Sequence, residues 1–204
     1  MAHTNSPLRY PGGKSCLYPL ITATLRENGL RFPHYAEPYA GGASLALALL
    51  YGGHVSDIHL NDIDPGIWSF WHSVLNETDA LTSLIEATEI TVPEWRKQRA
   101  IYQECDLSDP LSLGFATFFL NRTNRSGIIG TAGVIGGLAQ EGNYKIDCRF
   151  NREELTKRIN RVRKYRSRIH LTRYDALDFL KHGSDAFPQK TFFAIDPPYY
   201  AKGS

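Results

Sequence analysis

The residues best suited to chemistry stand near the C-terminal end, where Thr191-Phe192-Phe193-Ala194-Ile195 runs into Asp196-Pro197-Pro198-Tyr199-Tyr200. The apolar run predicts a strand buried on both faces. Asp196 places a carboxylate at the end of that strand, and the two prolines stop helix or ladder from continuing and stiffen the turn. Tyr199 and Tyr200 add flat aromatic surfaces. One carboxylate, a rigid turn and a ring suit the handling of a planar base. The plain structural alternative is a strand ending in a proline turn with packed tyrosines.

Two further stretches carry ligand chemistry. A strand around Tyr35-Ala36-Glu37 leads into Pro38-Tyr39-Ala40-Gly41-Gly42, and a helix rich in Ala and Leu follows from Ala43 to about Tyr51. Strand, glycine turn and helix in that order bring a ligand against a helix N-terminus. Val55 to Leu60 predicts a second strand, closed by Asn61-Asp62-Ile63-Asp64-Pro65. An acid about 20 residues beyond the glycine turn is where such folds hold ribose hydroxyls. Asp62 fills that place and Ile63 can lie against an adenine ring, although Asp-Pro is also a common helix cap. The N-terminal Gly12-Gly13-Lys14-Ser15 invites a phosphate-loop reading, which fails because G-x-x-x-x-G-K-S needs glycine at position 8, occupied by Leu8. What remains is either a flexible loop bringing amides and the Lys14 ammonium to a ligand, or a glycine turn with a surface lysine.

These residues need elements to position them. After the first loop, Leu17, Leu20, Ile21 and Leu25 predict one face of a helix ending at Asn28-Gly29. Ile67 to about Asn124 is helical in pattern, with breaks near Asn76, at Thr91-Val92-Pro93 and at Ser108-Asp109-Pro110. Trp68, Phe70, Trp71 and Trp95 read as core. Gly127 to Gly142 carries six glycines and no helical period, which predicts a small inserted subdomain or mobile hairpin. Asn121, Arg122, Asn124 and Arg125 at its root have side chains suited to bidentate base contacts. A basic helix follows, with Leu155, Ile159 and Val162 inward, then a third strand at Ile169-His170-Leu171-Thr172 and a turn at Tyr174-Asp175-Ala176-Leu177. Four strands separated by helices imply a parallel α/β sheet. Glu37, Asp62, Asp175 and Asp196 all fall at strand carboxyl ends, where open α/β sheets bind ligands.

Bulk properties set the frame. With 204 residues, 42% hydrophobic and 22% charged, the chain can hold one sizeable core of ordinary composition. Arg149 to Arg173 holds ten Lys or Arg against Glu153 and Glu154, a basic stretch that suits an anionic partner or forms a solvated helix face. Cys16, Cys105 and Cys148 are odd in number and never paired as C-x-x-C, which fits a reducing cytoplasm and neither a disulfide framework nor a zinc site. Leu45 to Tyr51 is too short to span a bilayer, and no signal-peptide core is present.

In order, Tyr10-Pro11-Gly12-Gly13-Lys14, Glu37-Pro38-Tyr39-Ala40-Gly41-Gly42, Asn61-Asp62-Ile63 and Asp196-Pro197-Pro198-Tyr199 make the chain resemble the Dam-type DNA adenine-N6 methyltransferases over essentially its whole length. The resemblance implies an open, mostly parallel Rossmann-like methyltransferase sheet with a helical and glycine-rich target-recognition insert. It divides the chain into a cofactor-binding part (1–62), an insert (63–150) and a return to the catalytic domain (151–204). It implies S-adenosylmethionine as cofactor, no metal, double-stranded DNA as partner, and a cytoplasmic protein of bacterial or phage origin, of the kind used in DNA methylation and restriction-modification. Tyr10, Gly12 and Lys14 would close over the cofactor. Glu37, Gly41 and Gly42 would face its methionine portion, Asp62 its ribose, and Ile63, Asp175 and Ala176 its adenine. The insert, with Asn121, Arg122, Asn124 and Arg125, would read DNA.

The same resemblance gives Asp196, Pro197, Pro198 and Tyr199 a catalytic role. The exocyclic amine of adenine is a poor nucleophile because its lone pair is delocalised into the ring. If the Asp196 carboxylate and the Pro197 carbonyl each accept an N6 hydrogen, the nitrogen can pyramidalise towards the methyl donor. The base must first leave the duplex, and Tyr199 would recover part of the lost stacking. Methylation of adenine in RNA or of a protein amide, and a non-catalytic DNA-binding relative, are the competing readings. Members of that family continue past D-P-P-Y with further strands, so Phe192 to Ile195 is expected on an exposed sheet edge. A further segment, a partner chain or a truncation would account for it.

Overall fold

The computed structural model describes residues 5–9 and 14–197. Four strands, β1 (His34–Glu37), β2 (Asp57–Asn61), β3 (Ile169–Thr172) and β4 (Thr191–Phe193), pair in parallel in the order β3-β2-β1-β4. Register aligns Glu37 with Leu60 and Ala36 with Phe193, so the carboxyl ends of adjacent strands finish close together. Eight α-helices connect or cover them: α1 (Tyr18–Glu27), α2 (Ser44–Tyr51), α3 (Pro65–Asn76), α4 (Thr78–Ala87), α5 (Val92–Glu104), α6 (Pro110–Thr123), α7 (Arg152–Arg163) and α8 (Ala176–Ala186). The chain is thus α/β with an all-parallel sheet among the described residues.

Helix starts follow local chemistry. Asp64, Thr91, Asp109, Asn151 and Asp175 each accept a backbone amide from the first turn of α3, α5, α6, α7 and α8. In α3, α5 and α6 a proline occupies one of the first two helical positions, where its missing amide costs nothing. The predicted breaks in the helical stretch therefore fall between real helices.

Tyr35, Ile58 and Leu60 alternate onto one face of the sheet and join a single hydrophobic cluster with α2, α3, α6 and α7. Helices α3 to α6 share this core with the sheet, so the boundary at residue 63 does not separate two cores. Phe70 and Trp71 are fully buried and Trp95 nearly so, as packing residues. Leu155, Ile159 and Val162 form the inward stripe of α7. On the opposite face His59 lies between His34 (5.1 Å) and His170 (4.7 Å), and Phe187, just after α8, stacks on it at 4.1 Å. Burial, then the neighbouring imidazoles, push His59 down to about 4.

Three expectations change. Leu17 and Leu20 are exposed, because α1 packs through Tyr18, Ile21 and Leu25, a stripe in which Tyr18 takes the place given to the leucines. Phe192 and Phe193 are half-buried and not buried on both faces, while the expected edge position holds: β4 is an edge strand of the described sheet and Ile195 beyond it is 57% exposed. Gly127 to Gly142 forms neither a subdomain nor a hairpin ladder. Its one isolated bridge joins Asn124 to Val134, Val134 is buried, and the Gln140 side chain bonds Ile135, Gly137 and Ile146 within an irregular loop.

Helices α3 and α6 cross in close contact at Gly114. A Cβ at Gly114 would lie 2.6 Å from the Ser69 carbonyl oxygen, and Phe70 stacks on Phe118 with centroids 5.7 Å apart. Gly114→Ala must therefore force the helices apart. Urea denaturation is expected to register a loss of about 2 kcal/mol.

Candidate active site

Glu37 ends β1 and is 1% exposed. The Tyr35 hydroxyl donates to its Oε1 at 2.8 Å. Burial raises the Glu37 carboxyl to about 7, with Lys14 and the Tyr35 hydrogen bond pulling down and Asp196 and Asp62 pushing up. Asp62 follows β2 directly. Its Oδ2 accepts the Gly41 amide at 2.8 Å and its Oδ1 the Asp64 amide at 3.1 Å, and burial nonetheless holds this carboxyl above its usual range. Asp196 lies beyond β4, half-exposed, with Oδ2 3.7 Å from Lys14 Nζ. Lys14 also donates to the Tyr39 carbonyl at 3.3 Å. Three carboxylates from three strand ends therefore share one lysine.

The glycine turn between β1 and α2 is held from both sides. Asp62 takes the Gly41 amide, and the Trp71 indole of α3 donates to the Gly41 carbonyl at 2.8 Å. Gly41 has φ 47°, a left-handed conformation that glycine adopts without strain. Ala43 shares that conformation at φ 47° and precedes the first turn of α2. Asn61 crosslinks the three loops around the site. Its Nδ2 donates to the carbonyls of Pro38 (3.0 Å) and Tyr174 (2.9 Å), and its Oδ1 accepts from the Thr172 hydroxyl (2.8 Å) and the Tyr174 amide (2.8 Å).

Of the remaining expected site residues, Gly42 is buried in the turn, Ile63 is 57% exposed beside Asp62, and Asp175 caps α8 through the Leu177 amide, with Ala176 opening that helix. Tyr10, Gly12, Pro198 and Tyr199 lie outside the described residues. Glu37, Asp62, Asp196 and Lys14 are brought together; Asp175 stands apart at the end of β3. Tyr35 and Asn61 were not singled out by sequence reasoning. A strand position two residues before Glu37 shares its face, and that spacing could have pointed to Tyr35.

The side chains expected to read DNA divide sharply. Asn121, Arg122 and Asn124 are buried and engaged within the protein. Asn121 accepts the Arg9 amide (2.7 Å) and donates to the carbonyls of Arg9 (2.6 Å) and Gly127 (2.9 Å). Arg122 donates to the Pro7 carbonyl, and burial, with Arg158 and Arg9 nearby, pushes it down to about 9. Asn124 donates to Ile128 and Ile129 and accepts from the Trp95 indole. These three bracket the N-terminal segment and the glycine-rich loop, which corrects the expectation that they face a base. Arg125 alone of the four is exposed.

Much of the basic stretch is likewise engaged internally. Arg152 donates to the carbonyls of Ile85 and Thr88, Arg168 to those of Val55 and Ser56, Arg163 pairs with Asp79, and Arg161 lies 3.9 Å over the Tyr51 ring. A uniform anion-binding face does not follow from that stretch. Cys16, Cys105 and Cys148 are free and exposed, and among the described residues no helix is long and apolar enough to cross a membrane.

A glycine turn against a helix N-terminus, flanked by a carboxylate on the adjacent strand, lies at the strand carboxyl ends where open parallel α/β sheets bind ligands. There the acids at the ends of β1, β2 and β4 favour a cationic ligand. The chain matches the family described as D12 class N6 adenine-specific DNA methyltransferase over residues 10–204, and it belongs to that family. Its class of reaction is therefore methylation of adenine in DNA. No curated protein matches it.

The raised carboxyl of Glu37 has a signed consequence for the ligand-free protein. Its folded value of about 7 exceeds the ordinary 4.5, so between these the folded state binds the extra proton and stability falls as pH rises. Glu37→Gln removes that component. Denaturation at about pH 5 and about pH 8 is expected to show the parent losing about 3 kcal/mol more than the variant across the interval.

Proposed function

We propose that this chain transfers a methyl group from S-adenosylmethionine to N6 of an adenine flipped out of duplex DNA. The observation that carries the reading is the convergence of Glu37, Asp62 and Asp196 around Lys14 at the carboxyl ends of a parallel sheet, in a member of this family. The donor set fits the cofactor: three carboxylates against one ammonium favour a ligand carrying both an ammonium and a sulfonium. When bound, the cofactor supplies an electrophilic methyl group.

In this reading Glu37 and the Gly41-Gly42 turn receive the methionine portion, Asp62 the ribose hydroxyls, and Ile63, Asp175 and Ala176 the adenine edge. Lys14, with Tyr10 and Gly12 of its loop, closes over the ligand and pairs with Asp196. The Asp196 carboxylate and the Pro197 carbonyl accept the two N6 hydrogens, which localises the nitrogen lone pair for in-line attack. Pro198 fixes the turn, and Tyr199 stacks on the flipped ring. The half-exposure of Asp196 supports its access to a large substrate. Arg125 is the DNA contact among the residues at the root of the loop, held in place by Asn121, Arg122 and Asn124.

Asp196→Ala is expected to lower methyl transfer by about 100-fold or more while DNA retention stays within about twofold, measured with labelled cofactor and by filter binding. Loss of DNA retention together with turnover would assign Asp196 to binding and sink its chemical role. Arg125→Ala should weaken DNA binding and reduce the slope of log affinity against log salt by about one, because one phosphate or base-edge cation is lost.

A further inference from the structure

Tyr35 is wholly buried, and its two ends make different contacts. The ring lies parallel to Phe192 of the edge strand β4, with centroids 6.0 Å apart and planes within 4°. The hydroxyl donates to Glu37 Oε1 at 2.8 Å. Burial and the Glu37 charge push the phenol far above its usual range, so it stays protonated and its direction as donor is fixed. The charged groups acting on Glu37 come from separate elements: Lys14 from the turn before α1, Asp62 from the end of β2 and Asp196 from beyond β4. Lys14 is shared, since its ammonium also pairs with Asp196 and bonds the Tyr39 carbonyl. The Tyr35 hydroxyl has Glu37 as its acceptor, on the same strand and the same face.

We propose that Tyr35 is a positioning residue that fixes the orientation of Glu37 through a hydrogen bond favouring its carboxylate form, committing Oε1 inside the protein and leaving Oε2 to receive the cation of the methyl donor. Glu37 acts here as the cofactor's receptor, as proposed above, and the second half of the role of Tyr35 depends on that reading. Because the same ring packs on Phe192, the residue also ties the receptor carboxylate to the strand that carries Asp196.

Tyr35→Phe keeps the ring and removes only the hydroxyl. Two measurements separate its effects: the titration of Glu37 in ligand-free protein by infrared difference spectroscopy, assigned with Glu37→Gln, and the affinity for S-adenosylmethionine by calorimetry across pH. Tyr35→Phe is expected to move the Glu37 titration to higher pH, to weaken cofactor binding near pH 7 by about tenfold, and to restore it to within about twofold near pH 9. Replacing Tyr35 with 3-fluorotyrosine, a stronger donor of the same shape, is expected to move the titration the opposite way, and it carries the test if Tyr35→Phe does not fold. An unchanged Glu37 titration, or an affinity loss equal at every pH, overturns the proposal. A shifted titration with pH-independent affinity in both proteins upholds Tyr35 as a group that favours the Glu37 carboxylate and overturns Glu37 as the cofactor's receptor.

Discussion

The carboxyl end of the sheet depends on one buried amide. Asn61 matches both amide hydrogens and two acceptor positions of its side chain to the end of β1 and to the end of β3 and the loop beyond it, so the ends of β1, β2 and β3 share a single crosslink. A buried amide left half-matched would be strongly destabilising, whereas a complete set of partners makes the same group a rigid spacer. The next residue, Asp62, inherits that rigidity and hands it to the Gly41 amide. Trp71 fixes the same peptide from the helical side. The glycine turn therefore has its geometry before any ligand arrives.

Rigid spacing is what allows like charges to be gathered. Glu37, Asp62 and Asp196 repel one another, and burial raises the cost of ionising the first two. A flexible site would relieve this by letting the acids turn to solvent. Here Tyr35, the backbone amides of Gly41 and Asp64, and Lys14 hold them in place, and the unneutralised charge remains as a preference for cations. The acids at these strand ends favour a bound ligand at some cost to the ligand-free fold, a common division between binding and stability.

Much of the frame was legible in the residues. Proline after Asp64 and Asp109 marks two helix starts by local stereochemistry, and the Ile169-to-Thr172 strand follows from its own pattern. The acids at strand ends were legible because strand, turn and helix leave few other places for them. Asn121, Arg122 and Asn124 were not. Asn121 and Arg122 find Arg9 and Pro7 more than a hundred residues away in sequence, Asn124 finds the Trp95 indole and its own loop, and polar side chains near a glycine-rich loop look alike whether they face a base or a carbonyl. Leu17 and Leu20 misled for a related reason, since the inward stripe of a short helix shifts when a tyrosine can pack with its hydroxyl at the edge.

The N-terminal segment is held by residues made much later in the chain. Ser6, Pro7 and Arg9 are bonded to Arg158, Arg122 and Asn121, across sequence separations of 152, 115 and 112 residues. During synthesis Ser6 to Arg9 emerge first, but the side chains that bond them leave the ribosome only with α6 and then α7. Because long-range contacts form only after their loops close, this anchorage is completed late in folding. Asp196 follows later still, so the strand-end site is assembled only after the helices that anchor the N-terminal segment.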